Sequence, residues 1–117
     1  MVLASYAWIG PALGNWATGA DWEDTSAHTT GTVPGAADTA VFGGVYGTDT
    51  SCVVTGAVSV SSLDMQDDYT ATLFVSPYGG SLTAGSITQY GTLSVGGTVS
   101  GGSFTVNGML AILVLSR

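Results

Sequence analysis

Lysine is absent from this chain of 117 residues, and arginine occurs once, at Arg117. Charged residues make up 8% of the sequence, against about 25% in ordinary globular domains. Acids outnumber bases eight to one, for a net charge of −7. A surface so poor in cations cannot neutralise phosphates, which argues against nucleic-acid binding and against electrostatic docking on an anionic membrane. Cysteine occurs once, as Cys52, so neither an intramolecular disulfide nor a thiolate zinc site is available. Cys52 leads directly into Val53-Val54 and reads as a small buried hydrophobe, with almost no positive charge to lower its pKa. No run approaches the roughly 20 apolar residues of a membrane span. The opening "MVLASYAW" lacks a basic start and an apolar run of about 7–15 residues, so it is not read as a secretory signal. Helical spacing of apolar residues is missing too, and 18 glycines leave no room for a long helix.

What the chain has instead is Gly, Ser and Thr interleaved with Val, Leu, Ile and Phe at every second position, the pattern of half-solvated strands. Its length suits one domain. Three stretches differ in texture. Residues 1–42 hold Trp8, Trp16, Trp22, His28, Pro11 and Pro34. Residues 43–57 are transitional, a glycine-rich loop followed by the short strand "SCVVT". Residues 58–117 run as strand after strand between glycine turns.

The last stretch repeats itself. "GSITQYGTLSV" at 85–95 returns as "GSFTVNGMLAI" at 102–112, 17 residues on. The alignment pairs Gly85 with Gly102, Ser86 with Ser103, Ile87 with Phe104, Thr88 with Thr105, Gly91 with Gly108, Leu93 with Leu110 and Val95 with Ile112. Upstream, Leu82 faces Val99. A looser copy starts at Val58: "SSLDMQ" parallels "GSITQY", and "TLFV" at 72–75 parallels "TLSV" at 92–95, with "DDYTA" inserted at a corner. Such a repeat is the signature of stacked layers, none of which buries its apolar face alone. The expected fold is all-β, a short parallel β-solenoid with a Trp-rich N-terminal cap. A small β-sandwich or meander stays open as the alternative, because Asn107-Gly108 also reads as a type I′ hairpin turn.

The segment "YAWIGPALGNWATGADWEDTSAHTTGTVPGAADTAVF", residues 6–42, carries Trp8, Gly10, Gly14, Trp16, Trp22, Pro34, Gly35, Asp38, Thr39, Ala40 and Phe42 in a characteristic order. It resembles the N-terminal segment of bacterial autotransporter-like surface β-helix adhesins. It departs from that pattern at Asp21, where the family usually has Asn before the later Trp. The resemblance covers about a third of the chain and implies an extracellular, non-enzymatic β-helix. From the residues alone, Trp8, Trp16 and Trp22 are expected to cover the apolar first end of the solenoid. Their indole N–H groups then need Asp21, Asp24 or backbone carbonyls as partners. Asp38 is placed to bond backbone N–H groups at the start of "TAVF". An exposed aromatic platform for sugars is the functional alternative for the same tryptophans.

Candidate chemistry is sparse. Asp64, Asp67 and Asp68 form one acidic cluster and Asp21, Glu23 and Asp24 another, and both read as solvated loop carboxylates before they read as a glycosidase pair. "GGVYGTD" at 43–49 is one residue too long for a calcium-binding repeat and does not recur, so no cofactor is expected, with calcium as the alternative. His28 lies in the loop "SAHTTG" with no zinc set or nucleophile elbow around it. Thr70-Ala71-Thr72 is an isolated instance of the Thr-x-Thr pattern of an ice-binding face.

The run from Met109 through Leu110, Ala111, Ile112, Leu113 and Val114 to Leu115 is the most apolar in the chain. It reads as an open solenoid edge on which further strands can stack. The expected protein is therefore no enzyme but an extracellular or cell-surface structural subunit. It assembles head to tail with copies of itself into a filament, or forms part of an adhesin. A glycan-binding module that uses exposed tryptophans, on a glycan or host surface, is the alternative.

Overall fold

A computed structural model describes residues 4–45 and 47–112; of the expected apolar edge, Leu113, Val114 and Leu115 lie outside the described residues. The strands are β1 (Ser5–Trp8), β2 (Gly14–Asn15), β3 (Trp22–Asp24), β4 (Thr39–Phe42), β5 (Cys52–Val54), β6 (Ala57–Met65), β7 (Thr72–Val75), β8 (Ser81–Gln89), β9 (Thr92–Val95), β10 (Thr98–Val106) and β11 (Met109–Ile112). A single 3₁₀ turn, Gly19–Asp21, is the only helical element among the described residues. One sheet runs β10-β8-β6-β4-β1-β3 and the other β11-β9-β7-β5-β2. Every pairing is parallel except β1 with β3. The protein is a parallel β-solenoid, with β6–β7, β8–β9 and β10–β11 as its three regular coils.

The sequence repeat is the structural register. Ser103 lies beside Ser86, Phe104 beside Ile87 and Thr105 beside Thr88, while Leu110 lies beside Leu93 and Ile112 beside Val95. The looser copy obeys the same rule: Leu63 stands beside Ile87 and Asp64 beside Thr88, and Leu73 stands beside Leu93. The sandwich or meander alternative is overturned. Asn107-Gly108 makes no hairpin, because β10 and β11 belong to different sheets and each pairs in parallel with the coil before it. The Asn-Gly pair is instead a corner, where Asn107 N–H donates to the Gln89 carbonyl at 2.7 Å.

Each coil has three sides. Along β8, Leu82 and Ala84 are buried, then Ile87 and Gln89, so the inward phase slips between Ala84 and Ile87 and the strand turns a corner. Gly85 and Gly102 stack at that corner and fall in the gap of the ladder. A Cβ on Gly85 would lie 2.7 Å from the Ser61 carbonyl oxygen and one on Gly102 would lie 2.8 Å from that of Gly85. The third side is the short strand of the other sheet, reached through a corner at Tyr90-Gly91. Gly91 has φ +68, a left-handed conformation natural to glycine.

The ladder begins earlier than the sequence texture indicates. β1 pairs with β4, and β4 with β6, in the same parallel sense as the later coils. The Trp-rich cap and entry segment thus supplies strands to the solenoid itself. Only β3 departs: it folds back antiparallel on β1, with Trp8 opposite Trp22.

Candidate functional site

The two ends of the solenoid differ in kind, and the axial ends are the candidate site. At the first end, Trp8, Trp16 and Trp22 are each 0% exposed. Trp22 meets Trp8 edge-on at 5.3 Å and Trp16 at 4.8 Å between ring centroids, and Phe42 carries the aromatic column inward to Tyr69. Trp22 Nε1–H donates to the Trp16 carbonyl at 2.7 Å, and Trp8 Nε1–H donates to Thr50 Oγ1 at 3.1 Å. The backbone-carbonyl expectation holds for Trp22; Asp21 and Asp24 are not the partners. Trp16 Nε1 is buried with no hydrogen-bond partner. All three rings lie inside the core, so Trp8, Trp16 and Trp22 offer no exposed platform of the kind the glycan-binding alternative requires.

The edges at this end are blunted. A bridge from Thr30 covers the outer side of β3 at Glu23, and in the other sheet the edge strand β2 is two residues long. Folding a segment over an edge and shortening an edge strand are two ways in which natural sheets avoid unwanted pairing.

Among the described residues, the other end of the solenoid is the coil of β10 and β11. β10 and β11 are edge strands nine and four residues long. The positions that point inward one coil earlier, Ile87, Gln89, Leu93 and Val95, are buried. Their successors are not: Phe104 is 39% exposed, Val106 47%, Leu110 36% and Ile112 66%. Met109 and Ala111, outward neighbours of Thr92 and Ser94, are exposed as well. One polar contact spans the last two coils inside. Gln89 Nε2–H donates to the Met109 carbonyl at 2.5 Å and to Gly91 O at 3.3 Å, while Gln89 Oε1 is buried without a partner.

The acids serve the corners. Asp49 accepts hydrogen bonds from Thr70 N–H, Thr70 Oγ1–H and Ala71 N–H at 2.8, 2.5 and 2.9 Å. This set, led by the Thr70 hydroxyl, holds the Asp49 carboxyl below the usual carboxylate range. It pins the inserted corner "DDYTA" to the coil before it. Asp68 accepts from Gly44 N–H at 2.8 Å. Asp38 accepts from Gly35 N–H at 2.7 Å, as its place before "TAVF" implied. Asp24 closes its own turn by accepting from Ser26 and Ala27 N–H, and those bonds lower its pKa. Burial pushes Asp64 up despite a hydrogen bond from Gln66. Asp49, the last residue of the calcium-like loop, and Asp68, which binds Gly44 of that loop, spend carboxylate oxygens on backbone N–H groups, and no group of three metal-ligating side chains is found among the described residues. His28 sits on the surface at φ +58, its Nδ1 3.3 Å from Glu23 Oε2. Cys52 is buried, and desolvation raises its thiol pKa steeply.

No family model matches the chain, and neither a curated protein nor a solved structure matches it.

Proposed function

We propose that the protein is a non-enzymatic structural β-solenoid of the cell surface or extracellular space, part of a fibre or adhesin, joined to its neighbours through the β10–β11 end. One observation carries this reading: among the described residues the tryptophans of the first coils are fully buried, while the inward side chains of Phe104, Val106, Leu110 and Ile112 in the last coil are exposed. Burying Phe104, Val106, Leu110 and Ile112 removes apolar surface from water, at about 25 cal/mol per Å². The edges of β10 and β11 supply main-chain hydrogen bonds in the same contact. The N-terminal motif around Trp8, Trp16, Trp22 and Pro34-Gly35 supports the extracellular assignment through its resemblance to surface adhesins.

A head-to-tail fibre needs a second joint besides the β10–β11 end, whereas a part of an adhesin needs only that one. The bridged β3 and the two-residue β2 make the first end a poor acceptor. The test is light scattering across a concentration series, with negative-stain microscopy of the same samples. The wild-type chain is expected to associate, and Phe104→Asp with Ile112→Lys is expected to keep it monomeric with an unchanged circular dichroism spectrum. A wild-type chain that stays monomeric at high concentration would sink the reading.

A further inference from the structure

The geometry points to a binding site for a primary alkylammonium group in the cavity on the outer face of β1, β4 and β6. This goes beyond the reading above and does not depend on the joint at β10–β11.

The cavity has a volume of about 370 Å³ and is lined by Ser5, Ala7, Thr25, Val41, Gln66 and the loop 43–45. Pockets for small ligands start at roughly 300 Å³. Its floor belongs to one row across four strands. Glu23 stands opposite Ala7, Ala7 beside Val41, and Val41 beside Asp64. Successive side chains of a strand point to opposite faces. With Trp8, Phe42 and Met65 in the core, this row faces outward. Two apolar residues therefore lie between two carboxylates.

Three observations select the ligand. The first is which atoms are left over. Gln66 Nε2–H donates to Asp64 Oδ2 at 2.6 Å. The Gln66 stem is held by the loop, where a Cβ on Gly44 would lie 3.5 Å from Gln66 Cγ. That arrangement leaves Gln66 Oε1 and Asp64 Oδ1 as acceptors with no partner among the described residues. An ammonium brings three donors and no acceptor, which suits such a pair. The second is charge. No lysine or arginine occurs among the described residues, and burial already penalises the Asp64 charge. A chain of net charge −7 draws cations and repels anions, while a neutral ligand gains nothing from its field. The third is the floor. Ala7 is 1% exposed, and Val45, on the loop, is 92% exposed. Together with Val41 they offer apolar surface to an alkyl stem, which an inorganic cation does not have. The site is built for recognition and not for glycoside cleavage. Glu23 and Asp64 stand three strand spacings apart, about 14 Å, beyond the roughly 6.5–9.5 Å of a hydrolytic pair.

The test is amide NMR of the isotope-labelled chain, titrated with n-butylammonium chloride at fixed ionic strength. Saturable shifts are expected around Ser5, Ala7, Val41, Val45 and Gln66. Butan-1-ol, of the same shape without the charge, is expected to bind weaker by about tenfold or more. Asp64→Asn keeps an acceptor for Gln66. It is expected to retain the circular dichroism spectrum and to weaken butylammonium by about tenfold. Asp67→Asn removes the same charge from an exposed position at the same corner and is expected to change the affinity by less than about twofold. Nα-acetyl-lysine methylamide, titrated in parallel, distinguishes the source: tighter binding than butylammonium assigns the cavity to a partner protein's lysine, weaker binding to a free amine. Equal binding of butanol or preferential binding of a methyl glucoside would overturn the cationic ligand. An Asp67→Asn loss as large as that of Asp64→Asn would trace the binding to the overall field and overturn the site, as would the lack of any saturable shift. None of these outcomes alters the light-scattering result, so the two proposals fail separately.

Discussion

At the scale of single residues, the cap is held by indole groups that are not equivalent. Trp22 Nε1–H has a buried carbonyl partner, and Trp16 Nε1–H has none. Trp22→Phe removes ring volume and strands the Trp16 carbonyl, whereas Trp16→Phe removes ring volume together with an unsatisfied donor. Leaving a buried polar group without its partner costs about 1–3 kcal/mol, so Trp22→Phe is expected to lower stability by about that much more than Trp16→Phe. Urea unfolding followed by circular dichroism measures the difference, and equal losses would show that the hydrogen bond carries no weight. Which indole bonds to which acceptor was not legible in the sequence. The spacing of the tryptophans points to the first end of the solenoid, but the fold-back of β3 decides which carbonyl lies under which ring.

Two aspartates make opposite predictions at the same scale. Asp49 has a lowered pKa because it is bonded in its charged form, so it contributes stability above the ordinary carboxylate pKa and loses it as pH falls through the lowered value. Asp49→Asn is therefore expected to destabilise the chain at pH 7, by roughly 1 kcal/mol given its exposure, and the deficit should shrink in acid. Asp64 has a raised pKa because burial penalises its charge. Its ionised form costs stability above the raised value, and the cost vanishes as pH falls below the ordinary carboxylate pKa. Asp64→Asn, which keeps an acceptor for Gln66, is expected to be the more stable protein at pH 7 and no better in acid. Thermal melts of wild type and both variants from pH 7 to pH 3 read all four signs.

At the scale of elements, the corners decide whether coils can stack. Gly91 and Gly108 lie one above the other: a Cβ on Gly91 would sit 2.7 Å from the Tyr69 carbonyl oxygen, and one on Gly108 would sit 2.1 Å from that of Gly91. Gly91 also has φ +68, so Gly91→Ala meets both a clash and an unfavourable backbone conformation. It is expected to cost at least 2 kcal/mol, of the order of one strained residue plus local repacking. Gly56, where a Cβ meets nothing within 4 Å, is the control: Gly56→Ala should be near neutral by the same unfolding assay. The register of these elements was legible, because a 17-residue repeat with matched inward residues admits one parallel stacking. The part that β1 and β4 play in the ladder was not. Ser5 pairs with Thr39 across 34 residues and Thr39 with Ser62 across 23, and loops of such unequal length erase the period on which sequence reading depends. The blunting of the edge at β3 and β2 rests on a fold-back that no periodicity announces.

At the scale of the whole molecule, a solenoid is close to one-dimensional: each coil is stabilised by its neighbours above and below. Among the described residues, the coil of β8 and β9 has neighbours on both sides, while that of β10 and β11 has one. The first coils carry in addition the aromatic column from Trp8, Trp16 and Trp22 through Phe42 to Tyr69. Local opening is therefore expected to begin at β10–β11 and to become costlier toward the cap, since regions with little buried apolar contact open first. Amide hydrogen exchange on the dilute chain should show protection rising in the order β10, β8, β6, β4. Raising the protein concentration should then slow exchange in β10 and β11 by tenfold or more and leave β1 and β4 unchanged, because only the open end gains a neighbour when two copies meet. A flat protection profile would mean that the solenoid opens as a single unit. Protection gained at β3 instead of β10 would place the joint at the capped end, where the bridge at Glu23 and the two-residue β2 leave little for another strand to hold.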